Sequence, residues 1–373
     1  MKNNAALNVT GMGRINSLQA VRAIAFLGIY LYHALRTIQG KSIVGHFFTS
    51  GLGPWGVSVF FVLSGFLMTY SYWNRPPKRS IKDMALFTVR KIRKLYPLHL
   101  IMLFFASVYL VLAKDRSFLQ IFKKLIITIP LIQTWFPVGF QAINNVAWYL
   151  SVCLFLYFVF PYILPCIKDG STSKKVIEMI AVYMLQLLVG YLISHFTKVN
   201  IKWAVYCHPL YRTGDFVIGC LTASIFIYNR NTKKRGFLSG SFLEIIVLLC
   251  NIAVCALFTK IGRHSLWFAY TCMFTPTSVL LIYIFSESSG FLTRLLNNKL
   301  IFWLASISTY AFLIHRIAIN YCLVFASHFM PWLQKDYWFV IIVPFAVTTA
   351  SVYLYLDAEK RVSQINRVII KHT

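Results

Sequence analysis

Acidic side chains are scarce in this chain. Ten Asp and Glu stand against 37 Lys and Arg among 373 residues, and charges of both signs together make up 13%. Soluble domains carry roughly 25% charged and 45–50% apolar residues. Here 58% are hydrophobic and the mean hydropathy is +0.66, which excludes an ordinary water-facing surface. No long polar insertion interrupts the apolar blocks between Val21 and Leu356, so residues 1–373 read as one membrane domain with no room for a separate soluble catalytic module. A CxxC pair is also missing. The eight Cys occur singly, mostly inside apolar runs (Cys153, Cys220, Cys250, Cys255, Cys272, Cys322), and read as small buried hydrophobes. No His, Cys or carboxylates fall at ligand spacing on one face, so no metal is expected.

The net charge of +27 raises nucleic acid as a partner, but there is no phosphate-cradling glycine loop, zinc-finger spacing or aromatic-basic module. The cations instead sit in short segments between apolar blocks, as membrane topology requires. No internal repeat is visible, which argues against an inverted-repeat transporter. The first apolar stretch carries Arg22 and His33 and lacks a small-residue cleavage site, so it is expected to remain as a helix.

A spanning helix needs about 20 mostly apolar residues. Ten blocks qualify: Ala20 to Leu35, Pro54 to Trp73, Leu95 to Ala113, Ala147 to Cys166, Val176 to His195, Arg212 to Tyr228, Phe242 to Thr259, Leu266 to Phe285, Leu300 to Phe325 and Tyr337 to Leu356. The fold class is therefore all-α and polytopic. The stretch from Phe118 to Phe136 is apolar but carries Lys123 and Lys124, and reads as re-entrant or interfacial. Ten spans with an internal N-terminus (residues 1–19) and an internal tail (357–373) put 23 Lys and Arg on the inner side and 11 on the outer side, as the positive-inside rule prefers. Counting Phe118 to Phe136 as an eleventh span would put Lys174, Lys175, Lys233, Lys234 and Arg235 outside.

Ionisable residues inside spans are costly and mark function by default. Arg22 and His33 are eleven residues apart, so a helix carries them on nearly one face, about 16 Å apart along its axis. Arg22 falls near the inner end and His33 in the outer half. Snorkelling and interhelical hydrogen bonding would explain them; so would a lined cleft in which a neutral imidazole takes a proton from an attacking hydroxyl. The run Arg90, Lys91, Arg93, Lys94 serves either as an anchor on anionic lipid or as a phosphate site. Asp215 lies three residues after Arg212, a spacing that predicts an ion pair. His315 and Arg316 share the middle of the ninth span. His99 and His195, near helix ends, read as structural, and Ser64 beside Gly65 as a packing contact.

The stretch SLQAVRAIAFLGIYLYH, from Ser17 to His33, resembles the first helix of the membrane-bound acyltransferase-3 family, marked by an Arg and a His separated by ten residues. Further stretches follow in the family's order: GVSVFFVLSGFLM from Gly56, RKIRKLYPL from Arg90, Trp148 to Ser151 with Pro161, RTGDFVIG from Arg212, and SISTYAFLIH ending on His315. The chain departs from the family's pattern where Gln19, Ser58 and Cys153 replace acids and where Lys91 and Lys94 replace Arg; Lys keeps the charge but loses bidentate phosphate geometry. Gln19 and the following Ala-Val-Arg-Ala look most like members that act on exopolysaccharides.

This resemblance implies an O-acyltransferase of a bacterial cell membrane, with no bound cofactor, acyl-CoA (most often acetyl-CoA) as donor and a cell-surface glycan as acceptor. It makes His33 and Arg22 catalytic, assigns acyl-CoA to Arg90, Lys91, Arg93 and Lys94, and makes His315, Trp148, Arg212 and Asp215 site-lining. Two other classes stay open: a polysaccharide-intermediate flippase without covalent chemistry, and a non-catalytic assembly partner, for which the lost acids speak.

Overall fold

The computed structural model describes residues 15–38, 50–140, 143–230 and 236–372, with side chains to residue 364. The inner-side expectations for residues 1–14 and for Lys233, Lys234 and Arg235 lie outside these. Among the described residues the secondary structure is entirely helical, and ten helices are long and apolar enough to cross a membrane. They are α1 (Asn16–Leu35), α2 (Leu52–Tyr72), α4 (Tyr96–Lys114), α6 (Trp148–Cys166), α7 (Thr172–Phe196), α8 (Pro209–Asn229), α9 (Phe237–His264), α10 (Thr275–Glu287, led in by a π-helical turn, Phe268–Cys272), α12 (Lys299–Phe329) and α13 (Tyr337–His372). Each coincides with one apolar block of the sequence. Several run a turn or more beyond it, because the i→i−4 ladder continues past the apolar core into polar residues.

Three shorter helices connect them. Ser80 caps α3 (Ile81–Ile92) by accepting the Asp83 amide at 3.1 Å, and α11 (Phe291–Leu295) is a single turn. The third, α5 (Phe118–Thr128), is too short to span. It exposes Phe118, Leu119, Phe122 and Ile126 along one side. The chain then turns inward through Leu131 (φ 60°) and a 3-10 turn, Gln133–Trp135. Thr134 and Ser151 hydroxyls meet at 2.7 Å, the Ser151 hydroxyl donates to the Leu131 carbonyl at 2.6 Å, and Trp203 Nε1 donates to the Thr134 carbonyl at 2.8 Å. Those bonds satisfy the Leu131 and Thr134 carbonyls of the turn. The stretch forms no spanning helix, in keeping with its exclusion from the ten spans.

The bundle is organised around α2 and α8, each 78% buried over its most apolar window, while α7, at 11%, lies at the periphery. Two glycines set the α2–α8 approach. A Cβ on Gly65 would strike the Phe216 carbonyl oxygen, and one on Gly219 would strike the Val62 carbonyl oxygen. Small residues at this crossing let two backbones touch where lipid supplies no hydrophobic drive between helices. The first helix, α1, packs against α2 and against α12, and so is held between two long helices.

Candidate active site

The end of α1 closes a cavity of about 310 Å³. His33 and Arg36 enter it from α1, Gly53 from α2, Trp148 from α6, and Phe312 and Arg316 from α12. Its far wall comes from a segment the sequence does not advertise: a π-helical turn, Lys202–Cys207, supplies Lys202 and Tyr206, and Asn145 completes the rim. Pro209, at the first turn of α8, cannot continue a ladder from before it, so the chain breaks at His208 and turns into the helix there.

His33 and His315 face each other with ring centroids 5.2 Å apart. His315 is fully buried, packed among Phe26, Tyr30 and Phe312, with Nδ1 3.2 Å from the Ala311 carbonyl and no partner for Nε2 among the described residues. Arg316 donates to the His33 carbonyl at 3.4 Å, placing a cation on the C-terminal turn of α1, where the helix dipole favours one. Arg36 donates to the Tyr32 hydroxyl at 2.7 Å. Burial, and after it the nearby Arg36 charge, holds the Lys202 ammonium below the usual lysine range. Among the described residues no carboxylate lines the cavity. A mechanism that orients His33 through an acid thus has no group here to use; His315 and three cations surround it instead.

Arg22 sits eleven residues back on the same unbroken helix, half-buried and near enough to Tyr157 of α6 for their charges to interact. Between the two levels α6 presents Tyr149, Cys153 and Tyr157 at four-residue spacing, one stripe of a helix. The buried Cys153 thiol stands between the two phenols on this stripe, and the Tyr149 hydroxyl lies 3.1 Å from the Ser64 hydroxyl. Ser64 therefore has a polar partner as well as its glycine neighbour. A polar lane leads from the level of Arg22 to Tyr149, adjacent to the cavity residue Trp148.

The basic run lies at the opposite end of the bundle. Gly53 at one end of α2 lines the cavity, and the Tyr72 ring at the other end carries the Lys91 ammonium 4.4 Å above it, roughly 28 Å away along the helix. Arg90, Arg93 and Lys94 are exposed beside it, while Lys91 also packs over Phe87 at 5.5 Å.

Arg212 and Asp215 form the ion pair their spacing predicts, at 2.5 Å, with neither side chain accessible to solvent. They do not line the cavity, contrary to the expectation from the sequence; nor does His315, whose buried ring only faces that of His33, whereas Trp148 does. The guanidinium lies between the Phe61 and Tyr206 rings and donates to the Tyr206 carbonyl at 2.7 Å and to the Ser58 hydroxyl at 3.4 Å. Asp215 accepts from Thr275 at 2.8 Å and from Gln186 at 3.3 Å. The pair acts one layer behind the wall and fixes the π turn that carries Lys202 and Tyr206. Asp215 here supplies the countercharge that an acid at position 58 would also offer.

His99 binds the Thr128 carbonyl at 3.0 Å, and His195 stacks on Tyr191, as structural histidines do. Among the described residues no three His, Cys, Asp or Glu gather in a metal-binding group. The residues missed in the sequence are Arg36, Asn145, Lys202 and Tyr206. Arg36 could have been found, since it stands one turn beyond His33 on the same face; Lys202 and Asn145 counted only as loop residues.

Comparison with known proteins agrees with this layout. The family model described as an acyltransferase domain, acyltransferase-3, matches residues 15–356. An O-acetyltransferase named OatA, from Staphylococcus aureus, is 23% identical over 263 residues, covering 67% of this chain and 41% of that protein. An acyltransferase named MdmB, from Streptomyces mycarofaciens, is 31% identical over 160 residues, covering 40% of this chain and 38% of its own length. A second Staphylococcus aureus protein, also named as an O-acetyltransferase, is 21% identical over 323 residues, with 83% of this chain and 51% of that protein covered. The chain thus spans about half or less of the length of these relatives. No solved structure matches it. A ten-helix bundle with an Arg and a His on one face of its first helix, matched from residue 15 to 356, belongs to the acyltransferase-3 family of membrane proteins.

Proposed function

We propose that this chain is an O-acyltransferase of the bacterial cell membrane, with both termini cytoplasmic, that moves an acetyl group from cytoplasmic acetyl-CoA to a hydroxyl of a cell-surface glycan or exopolysaccharide. The observation that carries the reading is the pairing of two sites at opposite ends of one bundle: an exposed basic run at one, and a cavity holding His33 beside His315 at the other. The charge balance of the loops supports putting the basic run in the cytoplasm, where acyl-CoA is found.

On this reading the CoA phosphates dock on Arg90, Lys91, Arg93 and Lys94, with Arg22 further in. The thioester reaches along the polar lane of Tyr157, Cys153 and Tyr149 towards the cavity. An acceptor hydroxyl gives its proton to His33 as its oxygen bonds to the thioester carbonyl carbon. The carbon–sulfur bond then breaks, and the CoA thiolate takes the proton back from the imidazolium. Arg36, Lys202 and Arg316 offset the negative charge that develops on the carbonyl oxygen in a site shielded from bulk water. Holding thioester and hydroxyl together supplies much of the remaining advantage.

The test is transfer of radiolabel from acetyl-CoA to candidate glycans by the protein reconstituted in lipid, with His33→Ala alongside. Transfer by the wild type and a loss on the order of a hundredfold or more in the variant are expected. Glycan crossing the bilayer with no label on any acceptor would overturn the enzyme in favour of a flippase. A fully active His33→Ala would remove His33 as the base and leave the enzyme standing.

A further inference from the structure

A second and larger cavity, of about 480 Å³, opens beside the first. The last turn of α4 contributes Lys114, the link to α5 contributes Arg116, α5 contributes Gln120 and Lys124, and α12 contributes Asn320. Two residues, Asn145 and Arg316, line both cavities, so the two adjoin at Arg316, which also donates to the His33 carbonyl.

Charge is distributed unusually here. Among the described residues six cations line the joined space, Arg36, Lys114, Arg116, Lys124, Lys202 and Arg316, and no carboxylate does. None of them takes part in an ion pair among the described residues. Five of the eleven Lys and Arg assigned to the outer side of the membrane are in this set, on the side where the positive-inside rule puts fewest. The choice is selective even within one helix turn, because Lys124 lines the cavity and its neighbour Lys123 does not. A surface lysine in water needs no explanation. Like charges converging on one concavity cost repulsion, and an anion in that concavity would remove it. Neutral donors stand among them, and two buried atoms, Asn145 Oδ1 on the shared lining and His315 Nε2 behind it, have no partner among the described residues. Buried polar atoms of that kind are uncommon unless a ligand or water completes them.

We propose that this second cavity docks the acceptor and that it selects an anionic sugar, one bearing a carboxylate or a phosphate within one residue of the hydroxyl that is acylated. Lys114, Arg116 and Lys124 hold the anion, Gln120 and Asn320 bind sugar hydroxyls, and Arg316 marks the border with the imidazoles where transfer occurs. The inference rests on the acyltransferase reading only in calling the ligand an acceptor; the anion preference is a property of the cavity itself.

Equilibrium binding to the full chain in nanodiscs tests it, with three probes: tri-galacturonic acid, its carboxyl-reduced neutral counterpart, and a phosphorylated oligomannose. At least one anionic probe is expected to bind at least tenfold more tightly than the neutral one, with affinity falling as salt rises. Lys114→Gln, Arg116→Gln and Lys124→Gln should each weaken it about threefold to tenfold. Lys124→Arg should retain it, and Lys123→Gln should stay within about twofold. The galacturonate and phosphomannose arms say which anion is read. Equal binding of neutral and anionic probes, no binding of either anionic probe, or a loss in Lys123→Gln matching that in Lys124→Gln would overturn the proposal. Acetyl transfer to a neutral glycan would then leave the enzyme reading intact, whereas anion binding without transfer to any acceptor would keep the cavity and sink the enzyme.

Discussion

Asp215→Asn isolates the buried charge behind the cavity wall. Arg212 is wholly inaccessible, and its charge is met by the Asp215 carboxylate at 2.5 Å, with the Tyr206 carbonyl at 2.7 Å and the Ser58 hydroxyl at 3.4 Å as neutral partners. Its second terminal nitrogen already lacks a partner among the described residues. An amide at 215 preserves the shape and the bond from Thr275 but leaves the guanidinium uncompensated. Breaking a buried pair from one side costs about 3–5 kcal/mol. Unfolding by SDS in mixed micelles, followed by Trp fluorescence, should show a loss of this size. Ser58→Asp in the Asp215→Asn background should recover part of it, because position 58 already lies within reach of Arg212. A change within about 1 kcal/mol in Asp215→Asn, or no recovery from Ser58→Asp, would refute the assignment of Asp215 as the countercharge.

The α2–α8 crossing predicts that Gly219→Ala, which drives a methyl into the Val62 carbonyl, destabilises by about 1–3 kcal/mol in the same assay. Gly262→Ala, whose new methyl meets only Ala269 at 3.7 Å, should be neutral or stabilising. At the basic end, Lys91→Ala should cost about 0.5–2 kcal/mol through its lost contact with Tyr72, while Arg93→Ala, exposed, should leave stability unchanged and, on the function proposed above, raise only KM for acyl-CoA. Lys202 gives a pH dependence. The protonated ammonium attracts an anion, and burial moves its loss of charge to lower pH than for a surface lysine. Anion affinity at the His33 cavity should therefore begin to fall below the ordinary lysine range, about pH 10.4, and Lys202→Arg should flatten that fall. A binding titration between about pH 7 and 10 reads both.

The number of spans was decided by the sequence, because a length of apolar chain and a count of flanking cations are local quantities that lipid acts on directly. So was the common face of Arg22 and His33, a matter of helical pitch alone, and so was the Arg212–Asp215 pair, three residues apart. Even the segment after Phe118 was legible as a non-spanning stretch from its two lysines. Tertiary structure decided what these features face. The Arg212–Asp215 pair turned away from the cavity because two aromatic rings and the Tyr206 carbonyl offered it a buried seat that no spacing rule specifies. His33 meets His315 across more than 280 positions of chain, and Lys114, Lys124 and Lys202 reach one joined space from two separate connections. In the sequence those lysines were indistinguishable from topology anchors, since a loop charge reveals its partner only when packing fixes the loop.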